Sequence, residues 1–237
     1  GDPLHAKPTL VTYGGTDANP DITMYAMTND GYLHAIDITD GKETFAFVPK
    51  QLLPKLKTVY ENVGGAGITH NYGLDGGIEV WSKDHNGNGQ IETPDADGNN
   101  DHVYLYFGQR RGGRNYFALD VTDRANPAVL WTIEGGIVDG TFEELGETWS
   151  QPQHHRIQVK SGANLVAKDV LVFGGGYDPD QDTASTRTTD DQGRAVYIVD
   201  ALTGGLLWWA SGTDREGASP AVTLPVAGSV RLYGAAP

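Results

Sequence analysis

Cysteine is absent from the 237 residues, which excludes disulfides, thiolate chemistry and cysteine-ligated zinc. Its absence does not fix a compartment. No apolar run approaches the roughly 20 residues that a membrane-spanning helix needs. Positive charge is scarce: 17 Lys and Arg stand against 31 Asp and Glu, a formal net charge of −14. That balance argues against nucleic acid as a partner, because binding phosphates takes a basic face, and it disfavours direct insertion into or attraction to an acidic membrane surface. Long helical patterns are missing too. The best candidate, 49–60 (PKQLLPKLKTVY), contains Pro54, which should break or restart it. Residues 1–10 carry none of the basic and apolar regions of a signal peptide. With Gly at position 1, an excised piece of a longer protein is expected, its export signal upstream.

What is present is glycine, 32 residues of it, between short β-branched and aromatic runs bounded by Gly, Asp and Asn. Three of these runs repeat one another at intervals of about 80 residues: 32–37 (YLHAID), 116–120 (YFALD) and 196–200 (VYIVD). Each is an apolar strand closed by Asp before a turn. Strands are expected before each, at 22–27, 103–107 and 169–173, and after each, at 43–48, 129–133 and 206–209. A fourth opens each unit, at 8–13, 77–81 and 155–159. Four antiparallel strands recurring as a unit make a propeller blade. The expected fold is therefore all-β and propeller-like. Blades are placed at about 1–55, 62–138 and 146–212, with a partial fourth at 213–237 whose first strands are 221–226 and 230–233. Closed rings take about four to eight blades, so this one is expected to be incomplete.

The second blade carries an acidic insertion at 84–101. It begins Asp-His-Asn-Gly-Asn-Gly-Gln-Ile-Glu. Asp84, Asn86 and Asn88 alternate, Gly89 follows, and Ile91 stands two places on, as in an EF-hand calcium loop. A hard cation wants six to eight oxygen donors, and alternate residues of a tight loop can aim theirs inward. Gln90 would then supply its backbone carbonyl, Glu92 a carboxylate directly or through water, and Asp95 the closing ligand. Two amides stand where carboxylates are common, which weakens binding and suits extracellular calcium better than cytosolic sensing. A solvated Asn/Gly/Asp loop without metal is the plainer alternative. Asp95, Asp97, Asn99 and Asp101 extend this site or hold a second ion.

Nearly the whole chain resembles the C-terminal propeller of the PilY1 family of type IV pilus biogenesis factors. The resemblance is carried by 29–37 (NDGYLHAID) with 45–49 (FAFVP), by 108–123 (GQRRGGRNYFALDVTD), by 149–152 (WSQP) and by 173–178 (FGGGYD). It implies an exported, surface or pilus-tip protein acting in pilus assembly, in extension against retraction and hence twitching motility, and in adhesion. Pilins, minor pilins and host or abiotic surfaces are the partners it implies. It implies no catalytic activity. The family's calcium loop, of Asp-x-Asn-x-Asp-x-x-x-Asp type, maps onto Asp84, Asn86, Asn88, Gln90 by its carbonyl, and Glu92, with Asn88 and Glu92 in place of Asp. No Arg-Gly-Asp tripeptide is present, so integrin binding is not implied.

Two further readings come from other classes. The Asp-to-Gly turns at 37–42 and 200–204, the latter leading to Trp208, resemble the tryptophan-docking repeats of quinoprotein dehydrogenases, which use pyrroloquinoline quinone and calcium; turn chemistry alone explains them as well. A metal-independent interaction scaffold is the other. Arg110, Arg111 and Arg114 suit an anionic partner, or pair with the acidic loop just before them, which is the reading preferred. His154 and His155 face opposite ways on a strand. Asp178, Asp180 and Asp182 lack a following Gly and a closing acid, so a solvated loop is expected there. Ser150 with His154 lacks an activating carboxylate.

Overall fold

The computed structural model describes residues 1–61, 70–186, 188–211 and 230. Twelve strands form three four-stranded antiparallel sheets, each in chain order. The first holds β1 (Thr9–Thr16), β2 (Asn19–Met27), β3 (Leu33–Asp37) and β4 (Glu43–Phe47); the second holds β5 (Ile78–Lys83), β6 (His102–Gly108), β7 (Asn115–Asp120) and β8 (Ala128–Glu134); the third holds β9 (Gln153–Ser161), β10 (Asn164–Gly174), β11 (Ala195–Asp200) and β12 (Leu206–Ser211). The protein is all-β and propeller-like, and the described sheets do not close a ring. The partial blade expected at 213–237, strands 221–226 and 230–233 included, lies outside the described residues apart from position 230. Helix α1 (Leu53–Glu61) follows a 3-10 turn at Lys50–Leu52. Pro54 falls in its first turn, where a missing N–H costs least, so proline restarts the helix there.

Alternation along the strands explains how the sheets stack. In β6, Val103, Leu105 and Phe107 pack into one core with Val11, Tyr25, Leu33 and Ala35 of the first sheet. The intervening Tyr104 and Tyr106 pack into a second core with Leu171, Phe173, Tyr197 and Val199 of the third. Successive side chains point to opposite faces of a strand, so a sheet buried on both faces reads as a continuous apolar run. β6 and β7 are such runs, and the middle sheet is that sheet. β5 and β9, the first strands of their sheets, also touch.

The repeat has a local cause. Asp37, Asp120 and Asp200 end their strands by accepting, at Oδ1, the backbone N–H two residues on, at 2.7, 2.9 and 3.0 Å. This Asx turn lets the carboxylate stand in for a backbone acceptor. The third and fourth strands of each sheet also shift register at one place, next to the Ala35–Phe45, Ala118–Trp131 and Ile198–Trp208 pairs. At the first two bulges the aromatic packs into a core between sheets, Phe45 against the first core and Trp131 in the second, while Trp208 is exposed. Trp131 is buried, its ring lies over Gly204, and its Nε1 donates to the Ala201 carbonyl at 2.9 Å. Gly204 sits at φ +69, and a Cβ there would meet the Trp131 ring at 2.9 Å, so both the backbone and the contact require glycine. The turn at 200–204 thus has a structural role in holding the second and third sheets together. Between the first two sheets, Tyr13 donates its hydroxyl to Val121 O at 2.8 Å and accepts from Tyr25 at 2.7 Å.

Trp131→Phe should lower unfolding free energy by about 1–3 kcal/mol, because Ala201 O is left without its donor. Trp131→Ala should cost about 3–5 kcal/mol through the cavity as well. Urea unfolding measures both, and two curves superimposable on the unsubstituted protein would contradict this account of the blade contact.

Candidate functional site

Antiparallel strands fix which loops share a rim. The insertion 84–101 joins β5 to β6, with the turns after β3, β7 and β11. The 109–114 loop joins β6 to β7 on the opposite rim, with 70–77, 135–152 and 175–194.

On the first rim the insertion winds on its own oxygens. Asp84 accepts from Gly87 N at Oδ1 and Gly89 N at Oδ2, both at 2.7 Å. Asn86 Oδ1 accepts Asn88 N at 3.0 Å, and Asn88 Oδ1 accepts Gln90 N at 2.7 Å. Gly89 takes φ +80, which makes the tight turn. Asn88 Nδ2 donates to Glu92 Oε2 at 2.9 Å. Asp84, Asn86, Gln90 and Glu92 are half-buried and His85, Gly87 and Gly89 exposed, but Asn88, which the alternation would also turn inward, is exposed. The Gln90 side chain clamps Gly15 through both its amide atoms at 3.3 Å, and Ile91 N donates to Tyr13 O at 2.9 Å. The loop is thereby seated on the β1–β2 end of the first blade.

Asp95 belongs to a separate turn. Its Oδ1 accepts Asp97 N at 2.9 Å and Asn99 N at 2.8 Å. Its Oδ2 is buried without a hydrogen-bond partner. A buried carboxylate oxygen without a donor is costly, and a bound cation is one group that satisfies it. Among the described residues, no three His, Cys, Asp or Glu side chains cluster as a metal site by themselves. Any cation here would rest on a mixed donor set that includes the Asn86 and Asn88 amides and the Gln90 carbonyl.

The residue that ties the two halves of the insertion together is Asp101, which the sequence pattern marks only as an extension. Its side chain is buried; Oδ1 accepts His85 N at 2.8 Å and faces His85 Nδ1 at 3.1 Å, while Oδ2 accepts Glu92 N at 3.0 Å. The bond from His85 N and then that from Glu92 N hold its carboxyl below the usual carboxylate range. From His85 an aromatic chain runs inward. His102 lies 6.2 Å from the His85 ring and stacks on Tyr104 at 4.4 Å; Trp81 meets His102 edge-on at 4.5 Å and stacks on His154 at 4.5 Å. Burial pushes the His102 and His154 rings below the ordinary histidine range.

The arginines do not pair with the insertion. Arg110 binds Asp75 at 3.0 Å and Arg111 lies 3.6 Å from Asp182, both on the opposite rim. The reversal follows from strand direction: β6 carries the chain across the sheet between residue 101 and residue 109, so sequence neighbours end on opposite rims. Asp178 is buried and caps a 3-10 turn, accepting Asp180 N at 3.1 Å and Asp191 N at 2.7 Å, with Asp180 and Asp182 in that turn. Ser150 Oγ accepts Gly174 N at 2.9 Å while His154 stacks on Trp81, so they form no nucleophile–base pair.

The family model for the PilY1 beta-propeller domain matches residues 2–217. Type IV pilus biogenesis factor PilY1 of Pseudomonas aeruginosa is 31% identical over 223 residues, which are 94% of this chain and 16% of that protein. A PilY1 homolog of Xylella fastidiosa is 34% identical over 140 residues, 59% of this chain and 10% of its own length. The crystal structure of the Pseudomonas aeruginosa PilY1 C-terminal domain shares 32% identity, with a TM-score of 0.49, over 84% of this chain and 31% of that one. This chain therefore spans a small part of the curated relatives it matches.

Asp101→Ala should free the His85 and Glu92 amides and speed their hydrogen exchange about tenfold or more, the loss expected for a hydrogen bond to a charged group. Since the folded carboxyl is depressed, its contribution is present above the ordinary value of about 3.9 and is lost as pH falls through the folded value. Protection at both amides should thus hold from neutrality to about pH 4 and fail below it. Protection unaltered in the variant, or lost already near neutrality in the parent, would refute the role given to Asp101.

Proposed function

The chain belongs to the PilY1 β-propeller family, and from that premise we propose that it is a calcium-binding, non-enzymatic segment of an exported, pilus-associated protein. It acts in type IV pilus biogenesis, through the balance of extension and retraction, and in surface adhesion. Pilins or minor pilins are the proposed partners, and the cell surface the proposed site. The observation that supports the calcium reading is the oxygen-lined insertion, with its orphaned Asp95 Oδ2, inside a family-matched blade.

Asp84, Asn86, Asn88, the Gln90 carbonyl and Glu92 would hold the ion, with Asp95 as the closing acid. Calcium supplies positive charge and a fixed coordination shell. The protein's own residues do the rest: Asp84 fixes the turn at Gly87 and Gly89, Asp101 joins the ends of the loop, and Gln90 seats it on Gly15. Ordering this rim presents one surface to a partner; repulsion among its acids loosens that surface when the ion leaves.

Calorimetric titration of the chelator-treated chain should show a calcium site that Asp84→Ala abolishes. Identical isotherms would end the calcium assignment. In cells, a strain lacking the gene should lose surface pili and regain them with the parent gene; pili unaffected by the deletion would remove the pilus reading independently of calcium. Binding at a hundredfold excess over the dissociation constant adds about 2.7 kcal/mol, small beside the gross burial term of a domain, on the order of 10² kcal/mol. Chelation should therefore raise proteolysis within 84–101 and leave the far-UV β signal intact. Global unfolding on chelation would show that the ion nucleates the fold, and the rim would not be a switch.

A further inference from the structure

We propose that a small cavity on the rim opposite the insertion binds a carboxylate presented by a protein partner, with Arg110 as its anchor. The Arg-Arg-Gly-Gly segment distinguishes this chain from a generic propeller, and neither the blade packing nor the calcium reading uses it. The cavity measures about 150 Å³ and is lined by Arg110, Trp149, His5 and the glycine walls at Gly76, Gly77 and Gly108, among others.

Arg110 is held in place before any ligand arrives. Its backbone lies at φ +54, a left-handed conformation that is strained for a non-glycine residue and holds only where the surroundings fix it. Its N–H donates to Thr148 Oγ1 at 3.0 Å, and its guanidinium lies over the Trp149 ring at 4.2 Å. Trp149 is in turn fixed by its Nε1–H to Glu147 Oε2 at 3.0 Å. Asp75 pins the guanidinium at Nη1. This carboxylate is fully buried and spent: Oδ1 accepts His5 N at 3.3 Å and Asn29 Nδ2 at 3.1 Å, and Oδ2 takes His5 Nδ1 at 2.8 Å and Arg110 Nη1 at 3.0 Å.

A guanidinium has five N–H donors, and among the described residues only one of Arg110's is engaged, on a side chain 21% exposed. The rest need acceptors. A planar carboxylate meets the guanidinium fork with two of them. Size and charge narrow the choice. At about 150 Å³ the cavity is below the roughly 300 Å³ at which small-molecule pockets begin, so it fits one terminal group and not a sugar or nucleotide. A net charge of −14 repels polyanions, while a single carboxylate bound by directional hydrogen bonds bears that repulsion most easily. A chain terminus and an Asp or Glu side chain both offer this group.

Saturation-transfer NMR on the intact chain, with acetyl-diglycine as probe, tests the site. Acetyl-diglycine should receive saturation and acetyl-diglycine amide should not. Arg110→Lys keeps a charge for Asp75 but removes the fork, and should weaken binding about tenfold, the value of one charge-assisted hydrogen bond. Gly76→Ala puts a methyl at the cavity wall, 3.3 Å from Gly108 O and in contact with the Arg110 Cβ at 3.7 Å; it keeps the guanidinium and should weaken binding by filling the cavity, so it decides the matter if the lysine variant does not fold. Acetyl-aspartate amide distinguishes the sources: equal binding supports recognition of acidic side chains as well, and weaker binding supports a chain terminus. No saturation at tens of millimolar probe, equal saturation of the amide, or folded variants that bind like the parent would overturn the proposal.

Discussion

Burial of the middle sheet on both faces is the constraint from which the rest of the molecule follows. Once Val103, Leu105 and Phe107 face one neighbouring sheet and Tyr104 and Tyr106 the other, a one-residue slip would exchange the two sets and disrupt both cores. Register is therefore fixed, and with it the rim on which every connection emerges. A bulge recurs beside Phe45, Trp131 and Trp208, and at Phe45 and Trp131 the aromatic beside it packs into a core between sheets. Trp131 shows what that achieves, reaching the turn that closes the third strand of the next blade.

With the sheets fixed, each rim is organised by a buried carboxylate whose acceptor sites are filled by distant donors. Asp101 gathers His85 and Glu92 across the insertion, and Asp75 gathers His5, Asn29 and Arg110 across three segments. The physical logic is common to both. A buried anion is tolerable only when hydrogen-bonded or paired, so its presence dictates the placement of the donors around it. Their electrostatics differ, since Asp75 meets a guanidinium whereas Asp101 meets mainly backbone amides. The Asp75–Arg110 pair is thereby close to charge-neutral, whereas the charge of Asp101 is met mainly by amide dipoles.

Much of this was legible in the sequence. The period-2 alternation, the Asp that closes each third strand and the spacing of Asp84, Asn86, Asn88 and Gly89 are local signals, and local hydrogen bonds produce them. Pro54 was legible for the same reason. Asp75 was not, because its partners lie 35 to 70 residues away along the chain. The arginines were assigned to the wrong acid: nearness in sequence suggested the insertion, and crossing one strand reversed the rim. Asp101 reads in the sequence as an extension of the ligand series, and its burial and its hold on the His85 and Glu92 amides show only in the structure. Asp95 stood in the ligand series by spacing, yet its own turn with Asp97 and Asn99 governs one oxygen and leaves the other unpartnered.

The insertion is coupled to the body of the protein through few contacts, and that sets how far a change in it can travel. Gln90 on Gly15 and Ile91 on Tyr13 O are its links to the first blade; each is worth about 1 kcal/mol, less where exposed to water. Tyr13 in turn donates to Val121 O in the second blade. On the other side His85 leads through His102 and Trp81 to His154 in the third, a path of ring contacts worth about 0.5–1.5 kcal/mol apiece where aromatic rings pack. Loss of order in the loop therefore removes a small increment from each blade junction and cannot by itself separate them, because the cores between the sheets are far larger. A rim that gains or loses its shape over an unmoved scaffold is what this arrangement permits, and a change confined to one rim reaches the other only through that scaffold.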